Sequence, residues 1–191
     1  MKILSLIIFG IAVIAQWAVP GVMIRNKEKI IWEGKVFHFR TAPVDPTDPF
    51  RGKYVSLNFK ENHFISIKGD STLYYGNVYV ILGKDRNGFA IIKQIVRQQP
   101  VASIDYVKAS IAYTTSLGKD TTDIHINYPF DQFYMDEFKA PKAERVYRES
   151  SIDSSQKTYA VVSILNGEAA IRDVMINDKP IRQVIKEMEK K

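Results

Sequence analysis

Between Pro43 and Phe59 the chain reads PVDPTDPFRGKYVSLNF, where three prolines, two aspartates and an Arg-Gly pair run directly into an alternating stretch. Pro43, Pro46 and Pro49 fix φ and remove backbone donors at three-residue spacing, so the loop is expected to be extended and stiff. Asp45 and Asp48 can each accept hydrogen bonds from the backbone just beyond them. Arg51 carries a planar fork of donors suited to a carboxylate or another anion. Two readings follow: the fork closes on Asp45 or Asp48 and clasps the loop against a sheet, or it holds an anionic ligand. Gly52 then permits positive φ or close backbone approach where the loop becomes a strand. From Tyr54 the side chains alternate, with Tyr54, Ser56 and Asn58 on one face and Val55, Leu57 and Phe59 on the other. The second face is expected to be core. The first presents an aromatic ring and two small polar groups close to Arg51.

Other candidates are sparser. A Ser/His/Asp triad must draw on His38, His63 or His125, and none stands beside a nucleophile motif. No serine lies between Thr41 and Lys53, so a Ser-Lys nucleophile is missing from the loop. Asp136 and Glu137, in YMDEF, precede an expected helix, where carboxylates act as caps and dipole partners or as acid and base. The HEXXH spacing is absent and the Asp45/Asp48 pair lacks a calcium-loop glycine, so neither metal nor cofactor is expected.

These residues need a framework, and composition bounds it. A chain of 191 residues, 46% hydrophobic, can bury one core plus a separate apolar segment. The net charge of +6 comes from 27 basic residues scattered among 21 acidic ones, so no concentrated footprint for nucleic acid is present. The absence of cysteine removes disulfides and thiolate chemistry together.

The segment Ile3 to Ile24 is 22 residues without a charge, enough at about 1.5 Å per residue to cross a hydrocarbon layer of about 30 Å. Val13 and Ala15 would pass loosely as a signal cleavage site. The apolar run continues past them to Ile24, with Trp17 as a candidate interfacial aromatic, so a retained anchor is expected over residues 1–25 and a β-rich domain over 26–191. Arg25, Lys27 and Lys29 argue for a cytoplasmic domain. The short basic leader at Lys2 argues for export, and a single-pass protein of the cytoplasmic membrane with its domain outside the cytoplasm is the reading taken.

Beyond the anchor, alternating runs rich in β-branched and aromatic residues predict strands at Lys35–Phe39, Tyr54–Phe59, Asn77–Gly83, Phe89–Val96, Ser103–Tyr113 and Asp123–Tyr128. Gly83 to Gly88 predicts one hairpin turn, and Asn166 to Glu168 a second between TYAVVSIL and AAIRDVMI. Helices are expected over Lys139–Ser150, with Pro141 in the first turn, and over Pro180–Lys191, where Ile181, Val184, Ile185 and Met188 share a stripe. A polar linker is expected from Ser150 to Gln156. The fold class is therefore mainly β within α+β: an antiparallel open barrel or sandwich with two accessory helices, preceded by one transmembrane helix.

The stretch DPTDPFRGKYVSLNF resembles the signature of the GDYXXLXY family of bacterial membrane-anchored proteins, with Gly52, Tyr54, Leu57 and Phe59 at the signature positions. The likeness extends to Glu33-Gly34-Lys35, to FYMDEFKAPKAERVYRES with Tyr134, Glu137, Ala140 and Glu144, and to NGEAAIRDVMINDKPI. Lys53 stands where the signature has Asp, and Phe59 where it has Tyr, so the resemblance implies framework more than chemistry there. It carries no assigned reaction, and implies a multi-spanning membrane protein as partner. The expected role is a membrane-tethered, non-catalytic binding or accessory domain for that partner or an envelope ligand. The alternative is an envelope hydrolase with Glu137 as acid or base.

Overall fold

The uncharged N-terminal run forms the first part of one unbroken helix. The computed structural model describes residues 2–42, 54–67, 75–118, 120–153 and 155–188. In it α1 spans Lys2–Glu33, and its stretch Ile7–Glu33 is long and apolar enough to cross a membrane. The helix does not stop at residue 25, where the anchor was expected to end. Its last two turns are held by the domain: Ile30 is buried, Lys27 Nζ donates to the Ala169 carbonyl at 3.2 Å, and Ser163 Oγ donates to the Ile31 carbonyl at 3.2 Å. Helix ends leave carbonyls unpaired. Ser163 serves one of α1's, while Arg172 bonds the Ser163 hydroxyl and also donates to the Gly34 carbonyl at 3.4 Å. Gly34 is required at the joint, because a Cβ there would stand 2.3 Å from the Ile30 carbonyl oxygen.

Twelve strands follow among the described residues: β1 Lys35–Ala42, β2 Tyr54–Ser56, β3 Asn58–Phe59, β4 His63–Ile67, β5 Gly76–Lys84, β6 Ala90–Val96, β7 Tyr106–Ser116, β8 Thr121–Asn127, β9 Gln132–Tyr134, β10 Thr158–Leu165, β11 Glu168–Ile176 and β12 Lys179–Pro180. The helices α2 (Ala140–Ile152) and α3 (Ile181–Met188) complete the chain. One five-stranded sheet has the order β12-β11-β10-β1-β3, a second β4-β8-β7-β5-β6, and β2-β9 form a ribbon, with every strand pairing antiparallel. Two isolated bridges, His38 to Phe89 and Val107 to Gly167, link the large sheets into a nearly closed barrel.

Alternation decides what fills it. Phe37, Phe39 and Thr41 of β1 face inward, as do Val55, Leu57 and Phe59. Phe39, Phe59, Tyr128 and Phe130 pack with centroids 5.0 to 6.1 Å apart, in tilted, edge-on and stacked contacts of the kind worth about 0.5–1.5 kcal/mol each beyond area burial. Burial pushes the Tyr128 phenol well up, and its hydroxyl donates to the Glu61 carbonyl at 2.8 Å. On α2, Ala143, Val146 and Tyr147 are buried, and Tyr147 donates to the Ala42 carbonyl at 3.3 Å.

Several boundaries differ from expectation for local reasons. The strand expected over Tyr54–Phe59 divides at Leu57, whose N–H donates to the Asp131 carbonyl at 2.7 Å, so its halves serve β9 and β1. α2 runs on to Ile152, into the expected linker. Met188 stands half exposed at the end of its stripe, behind buried Ile181 and Ile185. At the β5–β6 turn Gly88 alone takes positive φ, while Asp85 Oδ1 accepts from the N–H groups of Asn87 and Phe89 at 2.8 and 2.9 Å. The β10–β11 turn is a two-residue mirror turn with Asn166 at φ 51° and Gly167 at φ 84°.

Gly88 and Gly167 share a φ but not a setting. A Cβ on Gly88 meets nothing within 4 Å, whereas one on Gly167 would stand 2.5 Å from the Tyr106 ring. Gly88→Ala should cost about 1 kcal/mol and Gly167→Ala about 3 kcal/mol. Denaturant unfolding of the detergent-solubilised chain checks this; equal losses would show that the Tyr106 ring yields.

Candidate functional site

The outward face of β1 carries His38 and Arg40, and the β5–β6 turn folds over both. Arg40 lies over Phe89, its guanidinium carbon 4.3 Å from the ring centroid. Its Nη1 donates to Glu61 Oε1 at 3.0 Å, and its Nη2 donates to Asp85 Oδ2. Asp85 thus divides its oxygens, one for Arg40 and one for its own turn. The bond from Arg40 holds the Asp85 carboxyl below its ordinary value. Glu61 is only 9% exposed, and its Oε2 has no hydrogen-bond partner among the described residues. Burial raises its carboxyl above the ordinary value although Arg40 opposes the change.

Beside this pin lies a cavity of about 550 Å³, within the usual range for ligand sites. Among the described residues three cationic side chains, Arg40, Lys60 and Lys157, reach its wall, together with the Phe89 ring and the polar groups of Asn87 and Thr158. The one acidic lining residue among the described residues, Asp153, accepts from the Ser155 N–H and hydroxyl and from the Gln156 side chain. Lys157 Nζ bonds Asp178 Oδ1 at 3.0 Å and sits 5.5 Å from the Phe89 centroid. The same Asp178 oxygen accepts from the Tyr159 hydroxyl at 2.8 Å, and the Tyr159 phenol is pushed up to about 12 by burial and by that bond. Glu61, Asp85 and Asp178 therefore stand behind the cations and outside the cavity's lining.

The expected site residues fall elsewhere. Tyr54 and Tyr134 meet as a cross-strand pair with centroids 5.6 Å apart, and Tyr134 is 65% exposed. Glu137 is exposed in the turn before α2, where Asp136 Oδ1 accepts from the Phe138 N–H at 3.0 Å. Asp45, Asp48, Arg51 and Gly52 lie outside the described residues. The described residues that flank them are Ala42, which follows Thr41 of the cavity wall, and Tyr54 of the tyrosine pair.

Pairing register brings together residues that the sequence left apart. His63 lies opposite His125, and Asp123 sits between them, 3.6 Å from His63 Nδ1 and 3.2 Å from His125 Nε2, with Tyr113 stacked on His125 at 4.1 Å. Among the described residues no group of three His, Cys, Asp or Glu side chains stands in metal-holding geometry.

The sequence model of the GDYXXLXY protein family matches residues 16–174. The chain belongs to the GDYXXLXY protein family. That match takes in both the signature stretch and the cavity residues Arg40, Lys60 and Lys157. No curated protein and no solved structure matches the chain significantly.

His38 packs against Tyr159 at 5.1 Å, and its pKa is lowered from 6.5 by burial and then by Lys84 and Lys157. The unfolded chain therefore takes up this proton first as pH falls. The contribution of His38 to stability is complete above about 6.5 and is lost as pH falls below that value towards the folded pKa. Unfolding midpoints measured at intervals from pH 7.5 to pH 5 should fall for the native chain, with a shallower fall for His38→Gln. Parallel curves would remove His38 as the source.

Proposed function

We propose that this protein is a membrane-tethered, non-catalytic binding module of the bacterial cell envelope. In this reading α1 crosses the cytoplasmic membrane once, the β domain stands outside the cytoplasm, and the cavity beside Arg40 takes an anionic group of an envelope ligand or of a multi-spanning membrane-protein partner. The carrying observation is the ordering of charge: Arg40, Lys60 and Lys157 face the cavity while Glu61, Asp85 and Asp178 stand behind. An incoming carboxylate or phosphate meets the cations at closest range, where Coulomb attraction is strongest. Arg40, pinned by two carboxylates and a ring, is already held in one geometry, which lowers the ordering cost of binding. Lys60 makes no ion pair among the described residues and is the cation with most to gain from an anion.

The cavity is tested by titrating the solubilised chain with glycerol phosphate and with a carboxylate-bearing peptidoglycan peptide. Lys60→Ala and Lys157→Ala should each weaken binding about tenfold, the worth of one charge-assisted hydrogen bond, and added salt should weaken it further. Binding that neither substitution nor salt alters would overturn the cavity reading.

The tether is tested separately. The chain should resist extraction by carbonate and dissolve in detergent, and a reporter fused after Lys191 should be active only in its exported form. A soluble chain beginning at Gln16, or an active cytoplasmic reporter, would refute the corresponding part.

A further inference from the structure

The joint between α1 and the domain fixes which side of the domain meets the lipid. Ile24 is the last residue of the uncharged run, and Lys27 follows it by three residues, about 4.5 Å along the helix. Lys27 Nζ already bonds the Ala169 carbonyl, next to the β10–β11 turn. Swivelling about this contact is opposed by buried Ile30, by the Ser163 and Arg172 hydrogen bonds, and by Gly34, whose N–H donates to the Ile30 carbonyl at 3.0 Å. β1 leaves this joint and pairs antiparallel with β10, Lys35 opposite Ile164 and Arg40 opposite Tyr159. β10 therefore runs back towards the anchor as it approaches its turn. Arg40 lies at the opposite end of the strand, about 17 Å further on.

We infer that the domain is held against the bilayer with the β10–β11 turn, Asn166 to Glu168, facing the phosphate-bearing lipid headgroups and the Arg40 cavity turned away from them. This rests on reading α1 as a retained membrane span. Lys108 belongs to the same face, since its N–H donates to the Gly167 carbonyl at 2.9 Å and its ammonium bonds Glu168 at 2.7 Å. Arg25, Lys27 and Lys29 lie within about 6 Å of one another along the helix, with Lys27 on the side that bonds Ala169 and the other two on the opposite side. Basic groups at this level suit headgroup phosphates. The cavity, directed outward, is placed for a ligand or protein of the aqueous envelope and not for a lipid of its own membrane.

The chain has no cysteine, so single labels are clean. Ile14→Cys, Glu168→Cys and Arg86→Cys would each carry a fluorophore on the full chain in nanodiscs of phosphatidylethanolamine and phosphatidylglycerol. Nitroxide lipids, labelled on the headgroup or on the acyl chain, would serve as quenchers. Headgroup nitroxide should quench the label at 168 several-fold more than the label at 86, and acyl-chain nitroxide should quench the label at 14. Adding Gly34→Val, which breaks the joint, should shrink the contrast between 168 and 86. Equal quenching at 168 and 86, with 14 still quenched from the acyl chain, would overturn the fixed orientation and leave the span standing. A label at 14 open to aqueous iodide would overturn both.

Discussion

Strand β1 is constrained on every side, and the rest of the domain is arranged around that constraint. β10 pairs with it over Lys35–Arg40, β3 over Thr41 and Ala42, and the bridge from His38 to Phe89 brings the second sheet against it. Its inner side chains complete the aromatic core. Its outer ones, which in a one-layer antiparallel sheet would face water, are half covered by the β5–β6 turn. A partly desolvated guanidinium at that position is costly unless paired and hydrogen-bonded. Glu61 and Asp85 supply the pairing, and Phe89 covers the guanidinium face. Glu61 is itself sunk in the core, so removing either partner would strand the other.

That arrangement gives the cavity its character. A cation held by carboxylates on one side keeps its remaining donors aimed at the other, and Arg40 and Lys157 both follow this pattern. Aromatic faces at Phe89 and Tyr159 lie against the same charges and limit their motion. The result is a polar wall that is largely pre-arranged, on strands and a short turn.

The sequence made the architecture readable where period and punctuation agreed. The uncharged run, the β5–β6 and β10–β11 turns, the proline start of α2 and the alternation from Val55 to Phe59 all carry local signals, and each appears in the fold. β4 has no fully buried face and β9 is only three residues long, so neither carries the apolar–polar alternation that marks a strand. The continuation of α1 past Arg25 was hidden for a different reason. The charged stretch Arg25–Lys29 interrupts the apolar run, and the last turns are stabilised by Ser163, Ala169 and Arg172, which no local pattern connects to them. The cavity was hidden likewise. Arg40, Lys60 and Lys157 each look like ordinary surface cations until strand pairing gathers them. The prolines of residues 43–49 carry a strong local signal, whereas the cavity residues have no unusual spacing at all.

The docking of α1 also has an order in time. The groups that hold its C-terminal turns lie 132, 138 and 142 residues further along the chain. During synthesis the helix reaches its resting place first, and the surface that receives it exists only once β10 and β11 have been made. Contacts so distant in sequence form late and slowly. For most of the chain's emergence Gly34 is a hinge with an unfinished domain hanging from it, and it becomes a joint only when the β10–β11 hairpin closes.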